Sequence, residues 1–358
     1  MKVCILGSGL TALTLAKALV NQNIYVDLVS SNKKFVNNPS RTIGISKSNY
    51  EYFNKNIIKI DKIIWKLKKI EIYSDNLVNE KILNFENNKE QLFSIIKNIQ
   101  IHKVLNKSLS NNKFFKKIKF EKKNIKLDKF NLIINTDFNN PLTKKFFSKK
   151  VEKTYDSFAY TTVINHEQIS NEVAVQIFTK IGPVAFLPIS KKKTSIVYSV
   201  HNAKNNTNDK IIGLINKYNF KYKIKKIEKL QKFNLKSFVL RSYYYKNILG
   251  FGDLLHRIHP LAGQGFNMTI RDIQILINII KKKIELGLPI DSSVNVEFEK
   301  KLKHKNYLFT NSIDLIHEFF NFERKINSHI LSKSIKFFGR NPYLNKMFTS
   351  IADKGLNF

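Results

Sequence analysis

The sequence predicts a mixed α/β (α+β) fold, in which a Rossmann-like dinucleotide-binding domain is interleaved with a β-sheet domain and followed by C-terminal helices. Three stretches carry that prediction. Near the start, Lys2 to Leu6 reads as a short buried strand and Gly7-Ser8-Gly9-Leu10-Thr11-Ala12 as a turn; Leu13, Ala16, Leu19 and Val20 then form one face of a helix before a second strand, Ile24 to Val29. Far downstream, Gly263-Gln264-Gly265 opens a helix on which Met268, Ile270, Ile273, Leu276 and Ile280 recur at helical spacing. Between them, Val151 to Ser199 groups apolar and β-branched residues in strand-like runs.

The first unit has the turn chemistry of a dinucleotide site. Gly7 allows the tight turn, Gly9 lets a pyrophosphate approach the backbone, and Ala12 puts the smallest side chain where a third glycine is common. A helix start presents unpaired N–H groups and partial positive charge to an anion. The second strand ends in Ser30-Ser31, where an Asp or Glu would hold ribose hydroxyls, so Ser30 offers a weaker, uncharged hydrogen bond. Asp27 lies within the strand and by alternation points elsewhere. Arg41, after Pro39-Ser40, is either a surface residue of that turn or a planar fork for phosphate oxygens, and the scarcity of arginine favours the fork.

The middle of the chain alternates. Ile57 to Asn84, with Trp65, Ile70, Ile72 and Tyr73, predicts one or two strands. Phe85 to Leu92 is expected to open a helix that runs through Phe93, Ile95 and Ile96, and Ile99 to Leu105 is expected to be a strand. Further strands are predicted at Lys113 to Phe120, Ile125 to Leu127, Phe130 to Asn135 and Thr194 to His201. Helices are predicted at Ile211 to Tyr218, from the Gly263 turn to about Leu286, across Val294 to Phe320 and across Ile335 to Asp353.

The run Gly252-Asp253-Leu254-Leu255-His256-Arg257-Ile258-His259-Pro260-Leu261-Ala262-Gly263-Gln264-Gly265-Phe266-Asn267 closely resembles the second flavin motif of the class A FAD-dependent aromatic hydroxylases. Its His-Pro-Leu-Ala-Gly-Gln-Gly-x-Asn portion looks like the ubiquinone-biosynthesis hydroxylase branch; Leu254-Leu255 stand where Ala-Ala is usual. Arg41 to Ser46 is similar to the family's early Arg-containing segment, and Gly182 to Pro188 resembles its Gly-Pro-x-Ala-x-Leu-Pro strand. The family's Gly-Ala-Asp-Gly segment falls on Asn135-Thr136-Asp137-Phe138, where the aspartate alone is kept. Asn88 replaces the usual Arg of the family's flavin-side helix start, and no contact is assigned to it. The similarity covers most of the chain, strongly in two motifs and loosely between them.

The resemblance implies a para-hydroxybenzoate hydroxylase-like fold holding FAD. Gly7, Ser8, Gly9, Leu10 and Thr11 would take the adenosine and pyrophosphate end, with Ser30 and Arg41 along its ribose and phosphate side. Asp253 would accept from a ribityl hydroxyl, Gly263, Gly265, Phe266 and Asn267 would present the helix start to the reduced ring, and Pro260 would position that ring. Asp137 either holds a ribose hydroxyl or caps the next turn. NADH or NADPH is the implied electron donor and O2 the co-substrate. A flavin C4a-hydroperoxide would pass oxygen to the ring of a prenylated phenol in ubiquinone biosynthesis, and no dedicated catalytic acid or base is identified. The implied domains are residues 1–65, 85–150 and 235–290 for FAD, 66–84 and 151–234 for substrate, and 291–358 as a C-terminal helical segment. Two alternatives stay open: hydroxylation of a soluble aromatic compound, and a non-catalytic FAD-binding component of a biosynthetic complex.

Composition narrows the classes. A 358-residue chain with 43% hydrophobic content builds a sizeable core and is not disordered. The net charge of +35 is nearly all lysine, scattered through every segment, with no Arg-rich element interleaved with aromatics, so no nucleic-acid partner is expected. The charge reflects either an A/T-rich coding background or a basic surface that meets anionic phospholipid, which would suit a prenylated substrate. Cys4, the one cysteine, excludes an intramolecular disulfide and fits a reducing cytoplasm. Gly7 and Gly9 interrupt the apolar stretch that follows Met1-Lys2, and no uninterrupted apolar run reaches about 18 residues, so a membrane-spanning helix is not expected. A cytoplasmic protein, peripheral at the inner membrane face, is the resulting expectation. His256 and His259 sit in a turn with no acidic or Cys partner close in sequence, and no metal site is expected.

Overall fold

The structure, a computed structural model, describes residues 1–30, 40–75, 81–86, 91–119, 129–201, 207–258, 263–325, 333 and 341–355. The first half of the chain forms β1 (Lys2–Leu6), α1 (Leu10–Val20), β2 (Tyr25–Ser30), β3 (Thr42–Ser46), α2 (Lys47–Asn56), β4 (Ile64–Leu67), β5 (Lys69–Ser74), β6 (Lys81–Glu86), β7 (Phe93–Lys97), α3 (Asn98–Ser110), β8 (Phe115–Lys119), β9 (Leu132–Asn135) and α4 (Pro141–Phe146). It continues through β10 (Lys150–His166), β11 (Val173–Thr179), β12 (Gly182–Ser190), β13 (Lys193–His201), α5 (Asn208–Tyr218), β14 (Ile224–Ile227), β15 (Gln231–Leu240), β16 (Tyr244–Tyr245), β17 (Ile248–Gly250) and β18 (His256–Arg257). Three helices follow: α6 (Gln264–Glu285), α7 (Ser292–Lys325) and α8 (Pro342–Lys354).

One sheet has the order β16-β17-β9-β1-β2-β8, with parallel pairing from β17 to β8. Its central strands are covered on both faces, which is why Val3 to Leu6 and Leu132 to Asn135 are buried without alternation. The order reverses at β1, with β2 on one side and β9 on the other. In open parallel sheets the crevice at the carboxyl end of such a reversal is where ligands bind.

A larger sheet runs β18-β15-β10-β13-β12-β11-β5-β6, with β14 on β10. Alternation divides its two faces. Tyr160, Val184, Phe186, Ile196 and Tyr198 pack under α5 through Ile211 and Ile215, while Leu187 and Ile189 turn the other way, onto Trp65, Leu67, Phe93 and Ile95. Those last residues belong mainly to a three-stranded sheet, β3-β7-β4, wedged between the two larger ones. Thr42 of β3 donates to Ser195 of β13 across this seam at 2.9 Å.

Two expectations are corrected here. The helix expected from Phe85 through Ile96 is not formed: β6 ends at Glu86, residues 87–90 (Asn88 among them) lie outside the described residues, and Phe93 to Lys97 is a strand. It is the middle strand of its sheet, so Phe93, Ile95 and Ile96 are buried by neighbours on both sides and helical spacing is not required of them. The strand expected at Ile99 to Leu105 is the helix instead, and Ile101, Leu105 and Leu109 make its buried face at four-residue intervals. Ile125 to Leu127 lies outside the described residues.

The C-terminal helices tie back to the start of the chain. The Asp353 carboxylate at the end of α8 accepts from the Ser48 N–H in the first turn of α2 at 2.8 Å, and its carbonyl accepts from the Ser46 and Ser48 hydroxyls. This is a helix cap supplied from more than 300 residues away. No helix among the described residues is long and apolar enough to cross a membrane.

Candidate functional site

Parallel pairing delivers the carboxyl ends of β1, β2, β9 and β17 to one edge of the first sheet. Gly7 follows β1, Ser30 ends β2, Thr136-Asp137 follows β9, and Gly252-Asp253 lies just beyond β17. The ladder continues past the strand ends, with Gly7 N–H donating to Val29 O at 2.8 Å, Thr136 N–H to Leu6 O at 2.9 Å and Phe251 N–H to Asn135 O at 2.9 Å. Four segments far apart in sequence are thereby fixed side by side.

The glycines divide into two kinds. Gly7 has φ 129°, and a Cβ there would lie 2.2 Å from Thr136 Oγ1; Gly252 has φ 65°, and a Cβ there would lie 2.4 Å from Thr11 Cγ2. Both are demanded by the protein's own packing, and the second shows that the first flavin-type turn touches the Gly252-Asp253 segment that begins the second flavin-type motif. Gly9 is different. It is exposed, its φ is an ordinary −74°, and nothing lies within 4 Å of where its Cβ would be. No side chain caps α1 and its first turn holds no acid, so the N–H groups beside Gly9 are open to an anion.

The second helix start is equally uncapped by side chains. Gly263 at φ 64° is its N-cap, and α6 begins at Gln264. The donors without intrahelical partners are therefore Gln264, Gly265 and Phe266, whereas the Asn267 N–H enters the first bonded turn. Asn267 acts through its buried side chain instead. Its Nδ2 donates to Gly44 O at 3.1 Å and to Gly263 O at 3.2 Å, and its Oδ1 accepts from Ser46 N–H at 3.0 Å. One amide thus pins the helix start against β3, the strand that follows Arg41.

The remaining expected residues are placed as follows. Arg41 and Asp253 are exposed, and neither side chain has a hydrogen-bond or ion-pair partner among the described residues. Ser30 is buried at the strand end. One Asp137 carboxylate oxygen accepts from Asn139 N–H at 2.9 Å, so this aspartate caps its own turn and keeps the other oxygen available. Asp27 is buried within β2 and paired with Lys2 at 2.6 Å, away from the edge. Pro260 and His259 lie outside the described residues. Among the described residues no group of three His, Cys, Asp or Glu side chains is arranged to hold a metal ion.

His102 and Asp272 were not picked out from sequence. His102 on α3 brings Nε2 to 3.4 Å from the Ser8 carbonyl, and burial lowers its pKa, which favours a neutral imidazole beside the first turn. His256 and Asp272 form a fully buried pair, Nε2 to Oδ2 2.5 Å, that locks β18 onto α6. The signal for it was Asp272 itself: a carboxylate flanked by Ile270, Ile273 and Leu276 on a buried face needs a partner. Uncapped helix starts, an open Gly9 and the exposed Asp253 carboxylate at the sheet edge fit a dinucleotide carrying phosphates and hydroxyls.

Residues 145–285 match the family model described as the FAD binding domain. The whole structure is similar to p-nitrophenol 4-monooxygenase PnpA from Pseudomonas putida DLL-E4, with a TM-score of 0.77 over 97% of this chain and 96% of that chain at 11% identity. This is the fold of the FAD-dependent monooxygenases. The mixed α/β, para-hydroxybenzoate hydroxylase-like architecture expected from sequence is the one observed, and FAD is the cofactor of the matched domain. In sequence the chain is similar to the mitochondrial ubiquinone biosynthesis monooxygenase COQ6 of Schizosaccharomyces pombe, 27% identical over 115 residues (32% of this chain, 24% of that protein). It is also similar to the protein of the same name from Caenorhabditis elegans, 24% identical over 211 residues (46% and 47%). The chain spans less than half the length of these curated relatives in the matched regions.

Proposed function

We propose that this chain is a monooxygenase that uses FAD and NADH or NADPH to hydroxylate the aromatic ring of a prenylated phenol in ubiquinone biosynthesis. The observation that carries the reading is the contact of Thr11 with Gly252, which joins the first glycine turn to the Gly252-Asp253 segment, where the second flavin-type motif begins, at the carboxyl edge of the sheet. The named function of the relatives supplies the substrate class.

Gly7, Ser8, Gly9, Leu10 and Thr11 hold the pyrophosphate on the N–H groups of α1, with Arg41 adding a cationic fork and Ser30 and Asp137 offering oxygens to the ribose hydroxyls. Asp253 accepts from a ribityl hydroxyl, and Pro260 sets the position of the ring. Gly263 turns the chain so that Gln264, Gly265 and Phe266 aim backbone donors and the positive end of a 22-residue helix at the electron-rich side of the ring, with Asn267 holding that helix start in place. Bound FAD, reduced by NADH or NADPH, supplies the oxygen-activating chemistry. The protein supplies a dry surface for it: Leu187 and Ile189 of β12 lie on the sheet face opposite α5, among Trp65, Phe93 and Ile95. In this reading residues 1–65, 85–150 and 235–290 serve the cofactor, 66–84 and 151–234 the substrate, and 291–358 close the molecule.

A membrane-borne substrate suggests peripheral contact with anionic lipid at the inner face, from the cytoplasm, and membership of a biosynthetic complex. Leu308, Leu315 and Phe322, seven residues apart on α7, are exposed and, with the net charge of +35, support such a contact. Purified protein is expected to be yellow and to oxidise NADH or NADPH faster when a prenylated phenol is added. Colourless protein that cannot be loaded with FAD, or loaded protein whose donor oxidation no prenylated phenol stimulates, contradicts the proposal.

A further inference from the structure

A strip of the large sheet, away from the glycine turns, is left between two packed zones. Alternation sets its face: Tyr160, Val175, Ile177, Val184, Ile196 and Tyr198 pack on the α5 side, so Gln176, Ala185, Val197 and Thr161, which stand opposite one another in register on adjacent strands, are turned to the other face, toward the small sheet. Two residues before Gln176, Ala174 packs among Trp65, Leu67 and Phe93; two residues after it, Phe178 packs with Ile313 of α7. The line between, from Gln176 to Thr161, is half-buried at all four positions. We propose that this strip seats the aromatic ring of the substrate and that Gln176 selects a ring carrying a hydroxyl. The proposal rests on the monooxygenase reading and adds to it where the ring lies and which side chain recognises it.

Gln176 carries the argument. β11 reads Val-Ala-Val-Gln-Ile-Phe-Thr, so a primary amide stands among apolar residues. It is half-buried, and its side chain has no hydrogen-bond partner among the described residues. Hydroxyls on the same face are matched across the seam to the small sheet, Thr161 with Ser40 at 3.3 Å and Ser195 with Thr42 at 2.9 Å. A hydrocarbon ring laid on the strip would take water from the amide and return nothing, whereas a phenol hydroxyl donates to its Oε1 or accepts from its Nε2.

The dimensions suit one ring. Gln176 and Thr161 are three strand spacings apart, roughly 14 Å. Ala185 and Val197, the floor between them, are short side chains, whereas the next line on the same face carries Leu187 beside Trp65 and Phe93. At the Thr161 end, Ser40 leads into Arg41 and β3, and the Gly44 carbonyl of β3 accepts from Asn267 at the second helix start. The strip therefore runs to Gln176 from the segment assigned to the cofactor cradle.

The test is binding without turnover. FAD-loaded, oxidised protein is titrated calorimetrically, in the absence of an electron donor, with ortho-prenylphenol and with prenylbenzene, which lacks the hydroxyl. The parent is expected to bind the phenol about tenfold more tightly. Gln176→Leu, of similar size, is expected to lose that preference while keeping its FAD content and its affinity for prenylbenzene. Ala185→Ile, which fills the floor, is expected to weaken both probes ~10-fold or more with FAD retained, and it decides the matter if Gln176→Leu does not fold. A parent without the preference, a preference that persists in Gln176→Leu, or affinities unchanged in Ala185→Ile overturns the seat and leaves the monooxygenase reading standing. Loaded parent protein that binds neither probe contradicts both.

Discussion

Gly9→Val yields a protein that folds like the parent and does not retain FAD. The position has an ordinary extended backbone, is exposed, and has no neighbour within 4 Å of a Cβ, so the first side-chain atom meets nothing in the folded chain. Gly9 is the N-cap of α1, where valine is less favoured than glycine, so the change costs about 1 kcal/mol of stability and leaves the chain folded. The dinucleotide, by contrast, must bring its pyrophosphate against the backbone at this residue, and an isopropyl group there holds it off the N–H groups of α1. The expected loss in FAD affinity is on the order of a hundredfold or more, about 2.7 kcal/mol. Gly7→Ala makes the contrast: φ 129° and a Cβ 2.2 Å from Thr136 Oγ1 make that change a folding defect before it is a binding defect. Flavin absorbance per mole of protein, measured beside a urea unfolding curve for each variant, separates the two. Retained flavin in Gly9→Val contradicts the assignment of this turn.

Asp272→Ala is expected to be the most destabilising single change near the site. Its carboxylate accepts from His256 Nε2 at 2.5 Å, and Asn306 Nδ2 on α7 lies 3.4 Å from its other oxygen, so one side chain joins β18, α6 and α7. Both partners are about 1% exposed. Removing one member of such a buried pair leaves the other without compensation and costs about 3–5 kcal/mol. The double change His256→Leu with Asp272→Leu removes both polar groups and is expected to cost clearly less than the sum of His256→Leu and Asp272→Leu made singly. Urea unfolding of the four proteins of the cycle gives the coupling energy, and strictly additive losses would show that the pair does not act as a unit.

The parts of this molecule legible in its sequence are those whose periodicity and chemistry are local. β1, its glycine turn, α1 and β2 follow one another within 30 residues, and α6 announces itself by a glycine start and an isoleucine-rich stripe. What sequence could not supply were relations set by distant pairing. The Phe93 to Lys97 run looks helical until it is seen between β3 and β4, where burial on both sides removes the need for any period. The helix belongs to the next segment, and the spacing of Ile101, Leu105 and Leu109 was the available clue. The role of Asn267 was legible only as membership of a helix start, because its partners at Gly44 and Ser46 are more than 200 residues away. The Asp353 cap on α2 has no local signature at all.

We propose that FAD held in this cradle serves to put oxygen on a phenol ring. The most direct test supplies FAD-loaded protein with NADPH or NADH, a prenylated phenol and isotopically labelled dioxygen, and weighs the product. The account predicts a ring-hydroxylated product carrying one labelled oxygen atom, formed by the parent and lost in Gly9→Val. A loaded protein that consumes the donor and returns the phenol unchanged, or a hydroxylated product whose oxygen comes from water, contradicts it.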